Sequence, residues 1–153
     1  IEVDRLHSIL DHALIIGNGD ITNPMEARNA FDRFGVDGVM IGRAAVGKPW
    51  LFQHVKHYLS TGELLPEPTV SEKVEMAKTQ FSKSLEFKAE PVGVYEMRRH
   101  FSNYFKGLPH FKERRLKLLT TLAVDEIFQQ LEEIRESYGE YRPKVEGGFW
   151  DKP

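Results

Sequence analysis

The sequence predicts a mostly helical protein in two parts, an α/β segment followed by an all-α segment. Two short apolar stretches, at residues 14–17 and 36–41, each precede a segment with helical spacing, which is typical of βα units. After a linker with two prolines and a glycine, residues 60–68, apolar residues recur only at helical spacing. The chain of 153 residues is long enough to bury a core of substantial size.

The predicted helix between the two strands has clear signals at both ends. Asn23 is a typical N-cap residue, Pro24 suits the first helical position, and Gly35 suits the C-terminal turn. Residues 1–12 are predicted to end an earlier helix, and residues 49–59 to form a later one. The second strand is nearly all apolar, which predicts burial of both its faces.

The second part, residues 69–138, is predicted to contain four helices joined by short loops, the pattern of a helix bundle. Thr69 and Glu72 have the spacing of a capping box at the start of the first of these helices. The predicted helices span residues 69–87, 91–107, 111–120 and 122–138. Residues 139–153 contain proline, glycine and charge without any period, which predicts an irregular tail.

Composition excludes several classes of function. The chain has no cysteine, so neither a disulfide framework nor a thiolate zinc site is expected. Of the six histidines, His54 and His57 have a spacing that could clamp a metal, but no nearby carboxylate completes a ligand set, so no metal site is expected. No apolar run reaches the roughly 20 residues of a membrane span, and a cytoplasmic location is expected. A net charge of −2 does not indicate a nucleic-acid partner, so such a partner would have to bind a local basic patch.

A candidate phosphate site follows the two predicted strands. Asn18, Gly19 and Asp20 come directly after the first strand, and Gly42 and Arg43 come after the second. Successive parallel strands open their carboxyl ends onto one face, so these two loops are expected to lie side by side. Glycine allows close backbone approach and arginine offers a fork of donors, although either pair alone also fits an ordinary turn. Asp20 is expected to cap the following segment or to orient Asn18.

A candidate RNA-binding run lies in the helical part. Residues 98–117 contain seven Lys or Arg against one acid, Glu113, with Tyr95, His100, Asn103 and Tyr104 beside or among them. Cations interleaved with aromatic rings suit RNA phosphates and bases, whereas the simpler alternative is a solvated helix face. The predicted RNA-binding residues are Arg98, Arg99, Lys106, Arg114, Arg115 and Lys117.

These motifs together resemble a known family. NGDI at residues 18–21, followed by DGVMIGRAAVGKPWLF at residues 37–52, resembles the end of the barrel in tRNA-dihydrouridine synthases, FMN-dependent enzymes that reduce a uridine in tRNA. YEMRRH at residues 95–100 and YFKGLP at residues 104–109 are similar to the helical domain of that family. The resemblance covers about residues 14–138.

The resemblance implies a fold and a division into domains. Residues 1–61 would be the last two βα units of a TIM (β/α)8 barrel with FMN phosphate-binding loops, and residues 69–138 a helical tRNA-binding domain. A complete barrel needs roughly 250 residues. The chain is therefore expected to be the C-terminal part of a longer protein, and to self-associate through its incomplete barrel or to be disordered there.

The resemblance also implies a reaction. In the family NADPH reduces FMN, the flavin passes a hydride to the uridine, and a cysteine supplies the proton. Because this chain has no cysteine, it contains no predicted catalytic residue and is expected to be inactive alone.

The sequence leaves two other functions open. One is a helical RNA-binding or adaptor module without enzymatic activity. The other is a different FMN-dependent barrel, such as a dihydroorotate dehydrogenase-like protein, against which the basic helical extension argues.

Overall fold

The computed structural model describes residue 8 and residues 13–143 of the chain. These residues are mostly helical and include one small parallel sheet, as the sequence predicts. Apart from residue 8, the predicted helix end at residues 1–12 lies outside the described residues. So does most of the predicted irregular tail, from residue 144 onward.

The described residues divide into two compact units. The first comprises residues 13–45 and 49–65, and the second comprises residues 46–48 and 66–143. The short segment of residues 46–48 therefore groups with the helical unit rather than with its neighbours in the chain.

The first unit alternates strands and helices. Its elements in chain order are β1 (Ile16–Asn18), α1 (Pro24–Phe34), β2 (Gly38–Met40), a 3₁₀ turn (Arg43–Ala45) and α2 (Leu51–Thr61). The apolar faces of these elements meet in a small core of Ile21, Ala27, Leu51 and Val55. This core fixes the helices against the sheet and leaves the loops after both strands at the surface.

The two strands pair in parallel, as predicted, with Ile16 opposite Gly38 and Asn18 opposite Met40.

Both strands are shorter than predicted. The ladder starts late because the Ile15 backbone N–H donates instead to the Asp37 side chain at 2.7 Å. The predicted burial of both faces of the second strand is wrong in the described unit, where Met40 is 53% exposed.

The ends of α1 follow from local chemistry. The Asn23 side chain accepts from the Glu26 N–H at 2.9 Å, which confirms Asn23 as the N-cap. The Glu26 carboxylate accepts from the Thr22 N–H at 2.6 Å, one residue before the cap. Gly35 ends the helix with φ 61°, a left-handed conformation that glycine adopts without a steric cost.

The second unit consists of four helices. They are α3 (Val70–Phe87), α4 (Val92–Tyr104), α5 (Lys112–Thr120) and α6 (Val124–Tyr138). Helix α3 packs against α4 and α6, and α5 packs against the same two helices. The predicted capping box of Thr69 and Glu72 is present in full, and its hydrogen bonds lower the pKa of Glu72.

Aromatic side chains fill the centre of the helical unit. Phe81 of α3 is fully buried, with its ring 5.6 Å from that of Phe101 in an edge-on arrangement and 5.1 Å from that of Phe128. Phe81 thus contacts α4 and α6 at once.

The start of α3 is paired as well, because the Val70 backbone N–H donates to the Tyr141 carbonyl at 3.0 Å.

We expect Phe81→Ala to lower the free energy of unfolding of the helical unit by about 3–5 kcal/mol, because it leaves a cavity where three helices meet. Phe87→Ala is the matched control on the same helix, since Phe87 is 83% exposed. The control should change the free energy by no more than about 0.5 kcal/mol. Urea titration followed by circular dichroism measures both, and equal effects of the two changes would contradict the position of Phe81.

Candidate functional site

The loops after β1 and β2 open onto one cavity of about 730 Å³. Parallel pairing places the two strand ends at the same edge, with Asn18 directly opposite Met40. All five residues predicted to bind a cofactor line this cavity: Asn18, Gly19, Asp20, Gly42 and Arg43. The structure therefore brings the two predicted loops together.

An ion pair joins the two loops. The Arg43 Nη2 atom donates to the Asp20 Oδ1 atom, and both side chains are largely exposed. The expectation that Asp20 caps the next segment or orients Asn18 is therefore replaced by a contact across the site. No pattern in the linear sequence predicts this ion pair, because the partners are 23 residues apart and meet only through the pairing of their strands.

The two glycines leave open space at the site. A Cβ atom added at Gly19 or at Gly42 would meet no other atom within 4 Å. The packing of the protein itself does not demand glycine at these positions, and a ligand can approach the bare backbone there.

The residues at this cavity suit a phosphate group. A guanidinium carries five N–H donors, so Arg43 retains donors beyond the one that Asp20 engages. The carboxylate of Asp20 limits the positive charge of the site and contacts the arginine from the other loop. The combination of arginine, asparagine and unhindered glycine backbone fits an anion of the size and charge of a phosphate monoester.

Arg98 and Arg99 of α4 lie in different environments. The Arg98 guanidinium stacks over the Tyr95 ring at 4.7 Å from its centroid and is half-buried, whereas Arg99 is exposed. Neighbouring helical residues point about 100° apart, so the two arginines cannot face the same groove.

The basic residues of α5 reach neighbouring helices. The Arg115 Nη2 atom donates to the Ser102 hydroxyl of α4 at 2.5 Å. Arg114 lies 4.0 Å from the Glu133 carboxylate of α6, an acid that a count along the sequence does not place near this run. Lys106 and Lys117 are exposed. The structure therefore joins the basic parts of α4 and α5 and places Glu133 beside them, in addition to Glu113 of the run itself.

Tyr104 is not a surface ring. It is 1% exposed, its hydroxyl donates to the Gln80 side chain at 2.9 Å, and burial raises its pKa. Tyr104, named with the basic run, is therefore not available to RNA. The helical spacing of this segment also predicts that Tyr104 or Phe105 faces inward, and both side chains are buried. His100 is half-buried and accepts a hydrogen bond from the Gly47 backbone. Neither contact has a signal in the linear sequence.

Residues 13–143 contain neither a cluster of metal ligands nor a helix suited to a bilayer. No group of three or more His, Asp or Glu side chains in this range is placed to bind a metal ion. No helix in the same range is both long enough and apolar enough to cross a bilayer.

Two parallel strands with helices, and a cavity of ligand size at the carboxyl edge of the strands, define an α/β arrangement, the class of fold whose ligands generally bind at that edge. Residues 2–138 match the dihydrouridine synthase (Dus) family. The chain belongs to that family, and the resemblance found in the motifs is confirmed.

The curated relatives of the chain support the same family assignment. A probable tRNA-dihydrouridine synthase of Rickettsia conorii is 42% identical over 101 residues, which cover 66% of this chain and 30% of the relative. The tRNA-dihydrouridine synthase B of Salmonella typhimurium is 41% identical over 127 residues, 82% of this chain and 38% of the relative. That of Proteus vulgaris is 39% identical over 142 residues, 91% of this chain and 42% of the relative. The chain thus spans between about a third and two fifths of the length of these relatives.

Proposed function

We propose that the chain is the C-terminal part of a cytoplasmic tRNA-dihydrouridine synthase, which reduces uridine in tRNA to 5,6-dihydrouridine. Its first unit would be the last two βα units of a TIM barrel, and residues 69–138 a four-helix tRNA-binding domain. The observation that carries the proposal is the meeting of both predicted loops at one cavity in a chain of the Dus family.

In this proposal the cavity holds the phosphate of FMN. Arg43 contacts the phosphate, the backbone at Gly19 and Gly42 approaches it closely, and Asn18 adds a side-chain donor. Asp20 holds the arginine in place. When bound, FMN supplies the hydride, with NADPH as the reductant. The residues of this chain bind and orient the cofactor, and none of them is proposed to react.

The helical unit would bind the RNA backbone. Arg99, Lys106, Arg115 and Lys117 are exposed cations on or beside the packed helices α4 and α5, where phosphates can reach them. Arg98 would act together with the Tyr95 ring on which it stacks. An RNA-binding module without enzymatic activity would leave the loops at the cavity unexplained. Another FMN barrel would leave the basic helices unexplained. The enzyme therefore accounts for more of the chain than either alternative.

We expect Arg43→Ala in the complete enzyme to weaken FMN binding by about ten- to a hundredfold, the effect of losing a hydrogen bond to a charged group. Arg43→Lys should restore only part of the affinity, because an ammonium keeps the charge but not the fork. Fluorescence titration of the apoenzyme with FMN measures the dissociation constants. With saturating FMN, turnover should be close to normal.

Arg33→Ala is the matched control for Arg43. It removes the same charge from the same unit, at an exposed arginine that lies over the Phe34 ring and outside the cavity. Its FMN affinity should equal that of the wild type. Unchanged affinity in Arg43→Ala would refute a phosphate contact by this residue.

We expect the combined change of Arg114, Arg115 and Lys117 to Ala to weaken tRNA binding and to flatten its salt dependence. Each phosphate contact releases about one counterion, so the slope of log affinity against log salt should fall by up to about three. Filter binding at several salt concentrations gives the slope. Circular dichroism checks the fold, because Arg115 also bridges to Ser102.

The control for this experiment removes three cations elsewhere on the helical unit: Lys83, Lys88 and Arg135. The net charge changes by the same amount, so a general electrostatic effect would lower affinity equally in both triple variants. A slope that stays at the wild-type value when Arg114, Arg115 and Lys117 are removed would show that these side chains are only solvated.

We expect the isolated chain to self-associate through its first unit or to lose order there. In a sheet of two strands, each strand has one unpaired edge. The apolar side chains of Leu14, Ile16 and Met40 are also more than half exposed, at 77%, 52% and 53%. Light scattering should show oligomers that Ile16→Lys weakens and Phe87→Lys, in the helical unit, does not. A monomer equally protected from hydrogen exchange throughout would contradict this.

A further inference from the structure

Gly47 fits tightly against helix α4. Its φ of +69° is left-handed, and an added Cβ atom would lie 2.5 Å from the His100 carbonyl oxygen and 2.7 Å from the Asn103 Cβ atom. Real Cβ atoms do not approach so closely, so only glycine is accommodated here. The Gly47 backbone N–H also donates to the His100 Nδ1 atom at 3.2 Å. Residues 46–48 are therefore held on α4 by shape and by one directed hydrogen bond.

His100 belongs to a chain of hydrogen bonds with a defined direction. A backbone N–H can only donate, so the Nδ1 atom that faces Gly47 must accept and carries no proton. The Gln80 Nε2 atom lies 3.1 Å from the same Nδ1 atom, and its Oε1 atom accepts from the Tyr104 hydroxyl at 2.9 Å. The imidazole that holds Gly47 is thus neutral, with its proton on Nε2.

Protonation of His100 would reverse the direction of only some of these hydrogen bonds. An imidazolium donates from both nitrogens, so the Gly47 N–H would face another N–H and lose its acceptor. The Gln80 amide can rotate by half a turn, so that Oε1 accepts from Nδ1 and Nε2 donates to the Tyr104 oxygen. The link between α3 and α4 through Gln80 therefore persists in acid, whereas the contact with Gly47 cannot.

We propose that His100 is a pH-dependent latch for residues 46–48: the neutral ring holds the Gly47 backbone on α4, and the protonated ring releases it. The latch requires neither a flavin nor RNA, so it stands apart from the proposed function. The latch acts on the segment that follows the proposed phosphate contact, since Gly47 lies four residues after Arg43 in the chain.

The surroundings of His100 set the direction of the switch. Burial, followed by the positive charge of Arg99, lowers the pKa of His100, while Glu96 opposes them. The group that faces the ring from α3 is the uncharged Gln80, and Tyr104 stays protonated because burial raises its pKa. The held state therefore binds a proton less readily than a free imidazole, whose pKa is about 6.5. Lowering the pH below that value favours release.

The test is an NMR titration of the chain from about pH 7.5 to about pH 4, a range that extends further into acid than an ordinary histidine needs, because the pKa of His100 is lowered. At the upper pH, ring ¹⁵N shifts should show the Nε2–H tautomer of His100. The hydrogen-exchange protection factor of the Gly47 amide should fall by about fivefold or more at the lower pH, the effect of losing one hydrogen bond. The Tyr104 and Phe101 amides of α4 should keep their protection.

Two variants separate the latch from general acid destabilisation. In His100→Asn the Oδ1 atom takes the place of Nδ1 as an acceptor and does not titrate, so the protection of Gly47 should become independent of pH. His57→Asn, which removes a histidine from α2, should behave like the wild type. Protection of Gly47 that still falls in His100→Asn, or that stays constant in the wild type while His100 titrates, would overturn the proposal.

Discussion

The parallel pairing of β1 with β2 is the constraint on which the cavity depends. The register that sets Asn18 opposite Met40 places the ends of both strands at one edge of the sheet. Both of the loops that follow therefore begin at that edge. The ion pair between Asp20 and Arg43 is a consequence of this pairing. Because both of its side chains are exposed, it contributes little to stability. The backbone ladder, and not the charges, positions the site.

The helical unit depends instead on one aromatic core with a few satisfied polar groups inside it. Phe81 connects three helices, while the hydrogen bonds of Gln80 with Tyr104 and His100 cross the same α3–α4 interface. Buried polar groups are costly unless they are paired, and paired ones fix a single arrangement of the helices. The direction of this network also makes the position of Gly47 sensitive to one proton.

Local chemistry made the helix ends predictable. The Asn23 cap, the left-handed Gly35 and the capping box of Thr69 all involve partners within four residues, so their signals are visible in the sequence. The strand ends were less predictable, because the Ile15 N–H is diverted to the side chain of Asp37, 22 residues away. The grouping of the five cavity residues could be predicted because it needs only a rule about parallel strands, which holds whatever the side chains are.

By itself the sequence determined the helical and strand segments, the two glycine-containing loops and the resemblance to the family. Tertiary structure alone decided which side chains these elements leave available. The Tyr104 hydroxyl finds its acceptor in Gln80 of another helix, and Arg114 lies near an acid on another helix. The His100 ring meets a backbone N–H 53 residues earlier in the chain. The physical reason is that hydrogen bonds and burial are set by distance in space, and helix packing brings together groups whose separation along the chain carries no signal.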